Sequence, residues 1–285
     1  MDCTARRTRA DCYAERFSAK TEEVEKKNMN EWIKDRTTKY REFFGFGGAD
    51  IIPPTVDGFE VKPEIAERLR ALNFEWHFVP SGEALPCDDG YFKKLYPTAA
   101  RFHGRAAGNS GSVRSLLIEG HERQQGFVVA VETTQKPVYL PRNRQFYGSS
   151  YGHDATLDPL GAYFGKVGIT TGTRFEQSYL ILRKLFNFLN EDWQKREILP
   201  EGYRVTVCPP GIFNLVGTIF HPEWSETESL ELGFYRDEKG NATCFAVGAN
   251  APGDFSYIDV IENEEWSLTG FRLALLPDET RYDAR

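Results

Sequence analysis

One strongly amphipathic segment between residues 173 and 202 constrains the fold more than any other feature of the sequence. Large apolar residues recur there at helical spacing: Phe175, Tyr179, Leu182, Leu185, Phe186, Leu189 and Trp193. This periodicity predicts a long helix with one buried face. Thr173 and Glu176 have the spacing of a capping box, so we expect the helix to begin there. Pro200 and Gly202 then end the segment.

Short apolar segments on either side of this helix predict β-strands. One precedes it at Phe127–Val131 and is rich in β-branched residues. Five follow it and are separated by turn residues: Arg204–Cys208, Ile212–Phe220, Leu230–Tyr235, Thr243–Val247 and Phe271–Leu276. The segment Asp237–Asn241 is typical of a hairpin loop between two of them. This mixture of helices and short strands favours an α+β fold.

The N-terminal part has a mainly helical character. Residues 11–44 contain no proline or glycine and carry a thin apolar stripe, which predicts a long, partly exposed helix. A second helix is predicted from Pro63, with Ile65, Leu69 and Leu72 on one face. Residues 74–112 mix aromatic residues with glycine, proline and serine and are interpreted as loop-rich.

These patterns predict two domains. Residues 1–112 form a helical and loop-rich N-terminal module, and residues 113–285 form the second domain. The long N-terminal helix is expected to serve as an oligomerisation or docking element, because its apolar stripe is too thin for a fully buried helix.

Composition excludes several classes of protein. The chain has 40% apolar and 14% aromatic residues, which excludes a disordered chain. No apolar run approaches the roughly 18 residues that a membrane-spanning helix needs, and the basic N-terminus lacks the apolar segment of a secretory signal. Five scattered cysteines without a CxxC pair are typical of a reducing compartment, so we expect a soluble, cytoplasmic protein.

The charge distribution bears on partners. Residues 221–285 carry 14 acidic and 5 basic side chains, a balance of 5 − 14 = −9 out of a net charge of −7 for the whole chain. Phosphate binding needs an excess of basic residues, so this region disfavours nucleic acid and favours a protein partner or a cation. A short patch of Arg142, Arg144 and Tyr147 leaves nucleic-acid binding as an alternative, because it interleaves cations with aromatic rings.

Candidate metal ligands are few and form no familiar motif. None of the five histidines belongs to an HExxH pair or has a cysteine at zinc spacing: His77, His103, His121, His153 and His221. Two have an acidic neighbour, in the pairs His121-Glu122 and His153-Asp154. If these pairs converge beside the tyrosine-rich segment 137–168, they form the metal site of an enzyme. Solvated or structural histidines are the alternative.

A series of short motifs in the C-terminal part resembles the formylglycine-generating-enzyme (sulfatase-modifying factor) family. In chain order they are Phe188–Glu191, Leu199–Tyr203, Gly211–Gly217, Glu223-Trp224, Gly240–Ala242 and Gly270–Ala274. Upstream, Val131–Thr134 is similar to the EVTN strand of that family. The resemblance covers residues 120–278 and implies a C-type-lectin-like fold with short strands and long loops.

Three departures from the family pattern bear on activity. The RLPTEAEWEYA helix is missing after Tyr203, Thr218 replaces the usual asparagine, and two residues are inserted before Glu223. Catalytic members bind copper through a cysteine pair, whereas Cys208 and Cys244 form no recognisable pair. The resemblance therefore implies a degenerate, non-catalytic scaffold. No cofactor is predicted, although a structural calcium ion is left open.

Together these features predict non-catalytic binding of a ligand or a protein. Aromatic residues beside adaptable polar ones make recognition surfaces, because rigid rings give contact area at low entropic cost. The candidate binding residues lie in the C-terminal turns: Trp224, Tyr235, Asn250, Asp254, Tyr257 and Trp266. For each of them, packing beneath a loop is the alternative. The rival functions are the metal-dependent enzyme and a structural component of a larger, phage-like assembly.

Overall fold

The computed structural model describes residues 31–43, 61–80, 126–133, 138–140, 144–146, 158, 160–169, 174–175, 177–226, 230–236, 242–248, 257–261 and 269–278. Within these segments, helices and antiparallel strands form an α+β fold, which confirms the predicted class. The C-type-lectin-like arrangement within that class stays a prediction. None of the helices in these segments has the length and apolar character needed to cross a bilayer.

Five α-helices and one 3₁₀ helix lie in the described residues. They are α1 (31–43), α2 (Pro63–Ala71), α3 (Gly161–Val167), α4 (Tyr179–Lys195), α5 (Pro210–Ile219) and the 3₁₀ helix Pro222–Glu226. α2 begins at the predicted proline and buries Ile65 and Leu69. α1 is the described part of the helix predicted over residues 11–44, whose remaining residues lie outside the described segments.

Ten strands form three sheets in the described residues. They are β1 (Phe74–Val79), β2 (Phe127–Glu132), β3 (Val138–Leu140), β4 (Arg144–Phe146), β5 (Tyr203–Val207), β6 (Leu230–Arg236), β7 (Ala242–Gly248), β8 (Tyr257–Ile261), β9 (Thr269–Phe271) and β10 (Leu273–Pro277). The first sheet has the order β1-β2-β10-β5 and is antiparallel. The second has the order β8-β7-β6-β9, in which β6 and β9 run parallel. β3 and β4 form a separate antiparallel pair.

The first sheet joins distant parts of the chain. β1 precedes residue 112 and β2 follows it, yet they pair along their whole length, from Phe74 opposite Glu132 to Val79 opposite Phe127. The boundary predicted between residues 112 and 113 therefore falls between two strands of one sheet. The loop predicted from residue 74 is wrong for Phe74–Val79, because its aromatic and apolar side chains fit the half-buried surface beside β2.

α4 begins later than predicted, at Tyr179 instead of Thr173. Thr173 and Glu176, the predicted capping pair, lie outside the described residues. Arg174 and Phe175 precede the helix and are completely buried. Their tertiary contacts hold the chain outside helical geometry, so the apolar spacing that included Phe175 overestimates the length of the helix.

The contacts of Arg174 form a buried ion-pair network. Its guanidinium donates to both carboxylate oxygens of Glu132 at 2.7 Å and to both oxygens of Asp158. Asp158 also accepts the amide of Leu160 at 2.9 Å, just before α3. Since one arginine binds two acids from different segments, it fixes β2 and the start of α3 relative to each other.

The strand predicted at Ile212–Phe220 is wrong, because Pro210–Ile219 forms α5. Ile212, Phe213, Leu215 and Val216 are all buried. A short run that is apolar on every side has no period that distinguishes a strand from a buried helix. Pro210 in the first helical turn is the local feature that favours the helix.

The strand predicted at Phe271–Leu276 is interrupted at Arg272. Thr269–Phe271 pairs with β6 in the second sheet, and Leu273–Pro277 pairs with β2 and β5 in the first. The chain thus passes from one sheet to the other at Arg272, whose side chain is completely buried. The other strands predicted after α4 are confirmed within one or two residues.

α4 supplies the main helical face of the core. Its buried side chains pack with residues of α3 and of the first sheet: Leu182, Leu185, Leu189, Trp193, Tyr163, Phe164, Val205, Leu273 and Leu275. The ring of Phe74 meets Trp193 edge-on, with 5.9 Å between centroids. Phe74 of β1 therefore packs against the core that α4 covers. The residue after it, and every second residue from there, points to the opposite face of the strand.

Candidate metal centre

Glu75 and His77 lie on the face of β1 that points away from α4. Side chains alternate between the two faces of a strand, and Phe74 and Trp76 pack against the α4 core. Glu75 and His77 therefore share the opposite face, where they meet the end of α5. His77 is completely buried, whereas the side chain of Glu75 is 35% exposed.

The end of α5 fixes the position of His221. Its amide donates to the carbonyls of Val216 and Gly217 at 3.1 and 3.2 Å, and its carbonyl accepts the amide of Trp224 at 3.0 Å. Its ring stacks on the indole of Trp224, with 4.7 Å between centroids and 8° between planes. The backbone and the indole together hold the imidazole in one orientation.

Three side chains with metal-binding atoms converge at this point. One such atom from each of Glu75, His77 and His221 lies within 4.8 Å of the others. Nε2 of His221 is 3.0 Å from Oε2 of Glu75, and Nε2 of His77 is 3.9 Å from Oε1. Two atoms that bind one ion at about 2.0–2.1 Å stand roughly 3 Å apart. The His221–Glu75 pair already has this spacing, whereas Nε2 of His77, which faces the other oxygen of the carboxylate, must move closer to bind the same ion.

Neither ring nitrogen of His77 has a hydrogen-bond partner among the described residues. Buried polar atoms are nearly always paired, because an unpaired one costs about 1–3 kcal/mol. Phe220 covers the ring, with 4.9 Å between centroids. Burial lowers the pKa of His77 well below its ordinary value, and the charges of Arg36, His221 and Lys39 lower it further. The ring is therefore neutral at physiological pH and has a lone pair free to bind an ion.

The ring of His221 lies between two carboxylates. Nδ1 is 2.8 Å from Oε1 of Glu223, and Nε2 is 3.0 Å from Oε2 of Glu75. Burial lowers the pKa of His221 and outweighs the hydrogen bond and charge of Glu223, which raise it. A neutral imidazole has one N–H and donates to one carboxylate only. The other contact then places a nitrogen lone pair against a carboxylate oxygen, and a cation between them removes that repulsion.

Helix α1 contributes Arg36 to the edge of the site. Its guanidinium donates to Oε1 of Glu75. Trp32 and Tyr40 of the same helix donate to backbone carbonyls of β1 at 3.1 and 2.7 Å. α1 is thus attached along β1, and Arg36 orients the carboxylate whose other oxygen faces His221.

A buried set of charges lies behind Trp224. The guanidinium of Arg272 is 3.8 Å from the centroid of the Trp224 ring and donates to Glu231 of β6 at 2.8 and 2.9 Å. It also donates to the carbonyl of Glu132 at 2.7 Å, next to the Arg174 network. These paired charges join the two sheets and fix the indole on which His221 stacks.

The structure places the predicted ligand-binding residues in different environments. The Trp224 side chain is 1% exposed and packs between His221, Phe213 and Arg272. Tyr235 lies in β6 and Tyr257 begins β8, on opposite sides of β7 in the second sheet. Three of the predicted residues lie outside the described segments: Asn250, Asp254 and Trp266.

The other predicted sites fall almost entirely outside the described residues. This holds for the predicted metal ligands and for two of the three residues of the basic patch: His121, Glu122, His153, Asp154, Arg142 and Tyr147. Arg144 begins β4. The metal-ligand group found in the described part of the chain is therefore a different one from the predicted group.

The sequence contains a spacing that is consistent with this group of metal ligands. Glu75-Trp76-His77 and His221-Pro222-Glu223 each place an acid and a histidine two positions apart. On a strand this spacing puts both side chains on one face. Because residues 74–112 were interpreted as loop, the strand spacing of Glu75 and His77 was not recognised. Nothing in the sequence indicates that the two segments meet.

Comparisons with protein-family models, with curated proteins and with solved structures found no match to this chain.

Proposed function

We propose that this chain binds a divalent transition-metal ion through Glu75, His77 and His221 and acts as a metal-dependent enzyme. One observation carries the proposal: a fully buried, neutral His77 whose ring nitrogens are unpartnered in the described segments lies beside a carboxylate and a second imidazole. An ion at this point gives His77 a partner and separates the facing acceptors of His221 and Glu75.

The donor set selects the class of ion. Two imidazoles and one carboxylate suit Zn²⁺, Fe²⁺ and their neighbours in the first transition row. Calcium takes six to eight oxygen ligands, and two of the three converging side chains offer nitrogen. The structural calcium ion considered from the sequence stays a prediction for other parts of the chain.

Three protein ligands leave a coordination position for water or substrate, which is the arrangement of catalytic rather than structural zinc sites. We expect that position on the side of Glu75, whose side chain is 35% exposed, since His77 is completely buried. An ion there polarises a bound oxygen as a Lewis acid. Non-catalytic ligand or protein binding, the first prediction from the sequence, also stays a prediction.

Metal titration of the full chain tests the proposal. Protein stripped with a chelator is titrated with zinc in a calorimeter, and we expect one high-affinity site per chain. His221→Ala should weaken binding by at least about a hundredfold, since it removes a ligand and not merely an outer partner. His77→Phe should do the same while its ring fills the buried space.

His153→Ala is the matched control, because it removes the histidine of the metal site predicted from the sequence. We expect its zinc affinity to equal that of the unaltered chain. Loss of binding in His153→Ala with full binding in His221→Ala and His77→Phe would assign the ion to the other site. No binding to the unaltered chain would reject the proposal.

A further inference from the structure

We propose that Glu223 is a positioning residue of this centre, which fixes the proton of His221 on Nδ1 and so leaves Nε2 free to bind the ion. The inference rests on the proposed function, since it names the residue that prepares one ligand of that site. Glu223 itself binds no metal in this arrangement.

The position of Glu223 excludes it from the ligand set. Its Oε1 is 2.8 Å from Nδ1 of His221, whereas Nε2 points to Glu75 at 3.0 Å. The two ring nitrogens project in diverging directions, so the ion and Glu223 lie on different sides of the imidazole. Glu223 is not among the three residues whose donor atoms converge.

The ring plane of His221 is held in place by its neighbours. The indole of Trp224 lies parallel to it, and the backbone on both sides is hydrogen-bonded at the end of α5 and the start of the 3₁₀ helix. With the ring plane fixed, a neutral His221 chooses between two tautomers. Nδ1 makes the shorter of the two carboxylate contacts, 2.8 Å to Glu223 against 3.0 Å from Nε2 to Glu75, and we assign the N–H to it, which leaves the lone pair of Nε2 facing Glu75.

The contact between Glu223 and Nδ1 of His221 affects how strongly Nε2 binds a metal ion. A carboxylate that accepts the second N–H of a ligating histidine raises the basicity of the other nitrogen and fixes its tautomer. Loss of such an outer partner typically lowers metal affinity about 10- to 100-fold. The side chain of Glu223 is 52% exposed, so water can partly replace its carboxylate, and we expect a value near the lower end.

Zinc affinity is measured for the full chain and for Glu223→Ala, Glu223→Gln and Glu201→Gln at pH 8. Glu223→Ala should lose about tenfold in affinity. Glu223→Gln should lose less, because its amide oxygen still accepts from Nδ1 without the charge. Glu201→Gln removes an exposed acid at the turn before β5, away from the centre, and should bind as tightly as the unaltered chain.

A second readout separates positioning from a general loss of structure. Long-range proton–nitrogen spectra of metal-free, histidine-labelled protein report which nitrogen of His221 carries the proton. We expect Nδ1–H in the unaltered chain and a shift of the population towards Nε2–H in Glu223→Ala.

The outcomes distinguish this inference from the proposed function. If the unaltered chain binds zinc but Glu223→Ala has the same affinity or the same tautomer, Glu223 does not position His221. If the unaltered chain binds no zinc, the proposed function fails, and the tautomer of the metal-free protein still decides whether Glu223 orients the ring.

Discussion

At the scale of single residues, Glu132 shows how the chain keeps charge in its interior. Its buried carboxylate accepts two hydrogen bonds from Arg174 and one from the amide of Leu273. Burial by itself raises the pKa of Glu132, but the charge and hydrogen bond of Arg174, with the charge of Arg272 and the Leu273 amide, hold it below its ordinary value. Glu132 is therefore ionised in the folded chain at neutral pH.

The lowered pKa of Glu132 predicts acid-sensitive stability. Its contribution is fully present above the unfolded pKa of about 4.3 and is lost as the pH falls through the lower folded value. Glu132→Gln should lower the free energy of unfolding by about 3 kcal/mol at pH 7, since it breaks a buried ion pair. Urea denaturation at pH 7 and at steps between pH 5 and 3 measures both effects.

The control for this measurement is Glu201→Gln, which alters an exposed acid. We expect it to follow the pH dependence of the unaltered chain, whereas Glu132→Gln should show a shallower one. An equally steep loss of stability in Glu132→Gln would mean that other carboxyls account for the acid sensitivity.

The residues of the candidate site were harder to predict from the sequence than the helices and strands. His77 and His221 were visible as histidines, but their neighbours Glu75 and Glu223 gain meaning only once β1 and the end of α5 are adjacent. Arg174 and Arg272 show the same limit, because a charged residue in a sequence is normally exposed. Their burial depends on acids in other segments of the chain, which lie between 16 and 42 positions away.

At the scale of elements, the end of α3 depends on a glycine. Gly168 follows the helix with φ +88, in the left-handed region, and its amide donates to the carbonyl of Phe164. A Cβ there meets no atom within 4 Å, so the backbone angle alone determines the effect of a larger residue. Gly165, inside the same helix, also has open space for a Cβ.

These two glycines predict opposite effects of the same change. Gly168→Ala should destabilise the chain by about 1 kcal/mol, because alanine is strained at this φ. Gly165→Ala should stabilise it by up to about 1 kcal/mol, because alanine is the better helix former. Thermal or urea unfolding of both variants compares them directly. A loss of stability of the same size in both would show that crowding, not backbone conformation, governs this helix.

Elements were predicted well wherever local pattern and tertiary environment agree. Pro63 with its apolar spacing gave α2, and the turn residues around β6 and β7 gave their antiparallel pairing. The failures have tertiary causes. Burial on every side made α5 look like a strand, and the pairing of Arg174 with Glu132 and Asp158 moved the start of α4.

At the scale of the whole molecule, the candidate metal centre belongs to neither predicted domain alone. Glu75 and His77 come from the first 112 residues, whereas His221 and its partner Glu223 come from the rest. The same division separates β1 from β2. Without β1, one edge of β2 would be unpaired. An exposed edge beside apolar residues favours aggregation. We therefore expect the centre to assemble only when the first sheet has formed.

This dependence predicts how the separated halves behave. Residues 113–285 alone should unfold without a cooperative transition and should bind zinc at least about a hundredfold more weakly than the full chain, since two ligands are missing. A full-length chain carrying a protease site after residue 112 is the matched control. After cleavage its halves should stay associated and keep the zinc affinity, because β1 and β2 remain paired. If the 113–285 fragment folds cooperatively and binds zinc as tightly as the cleaved chain, the first sheet is not shared in solution and the ligands of the ion lie wholly in that fragment.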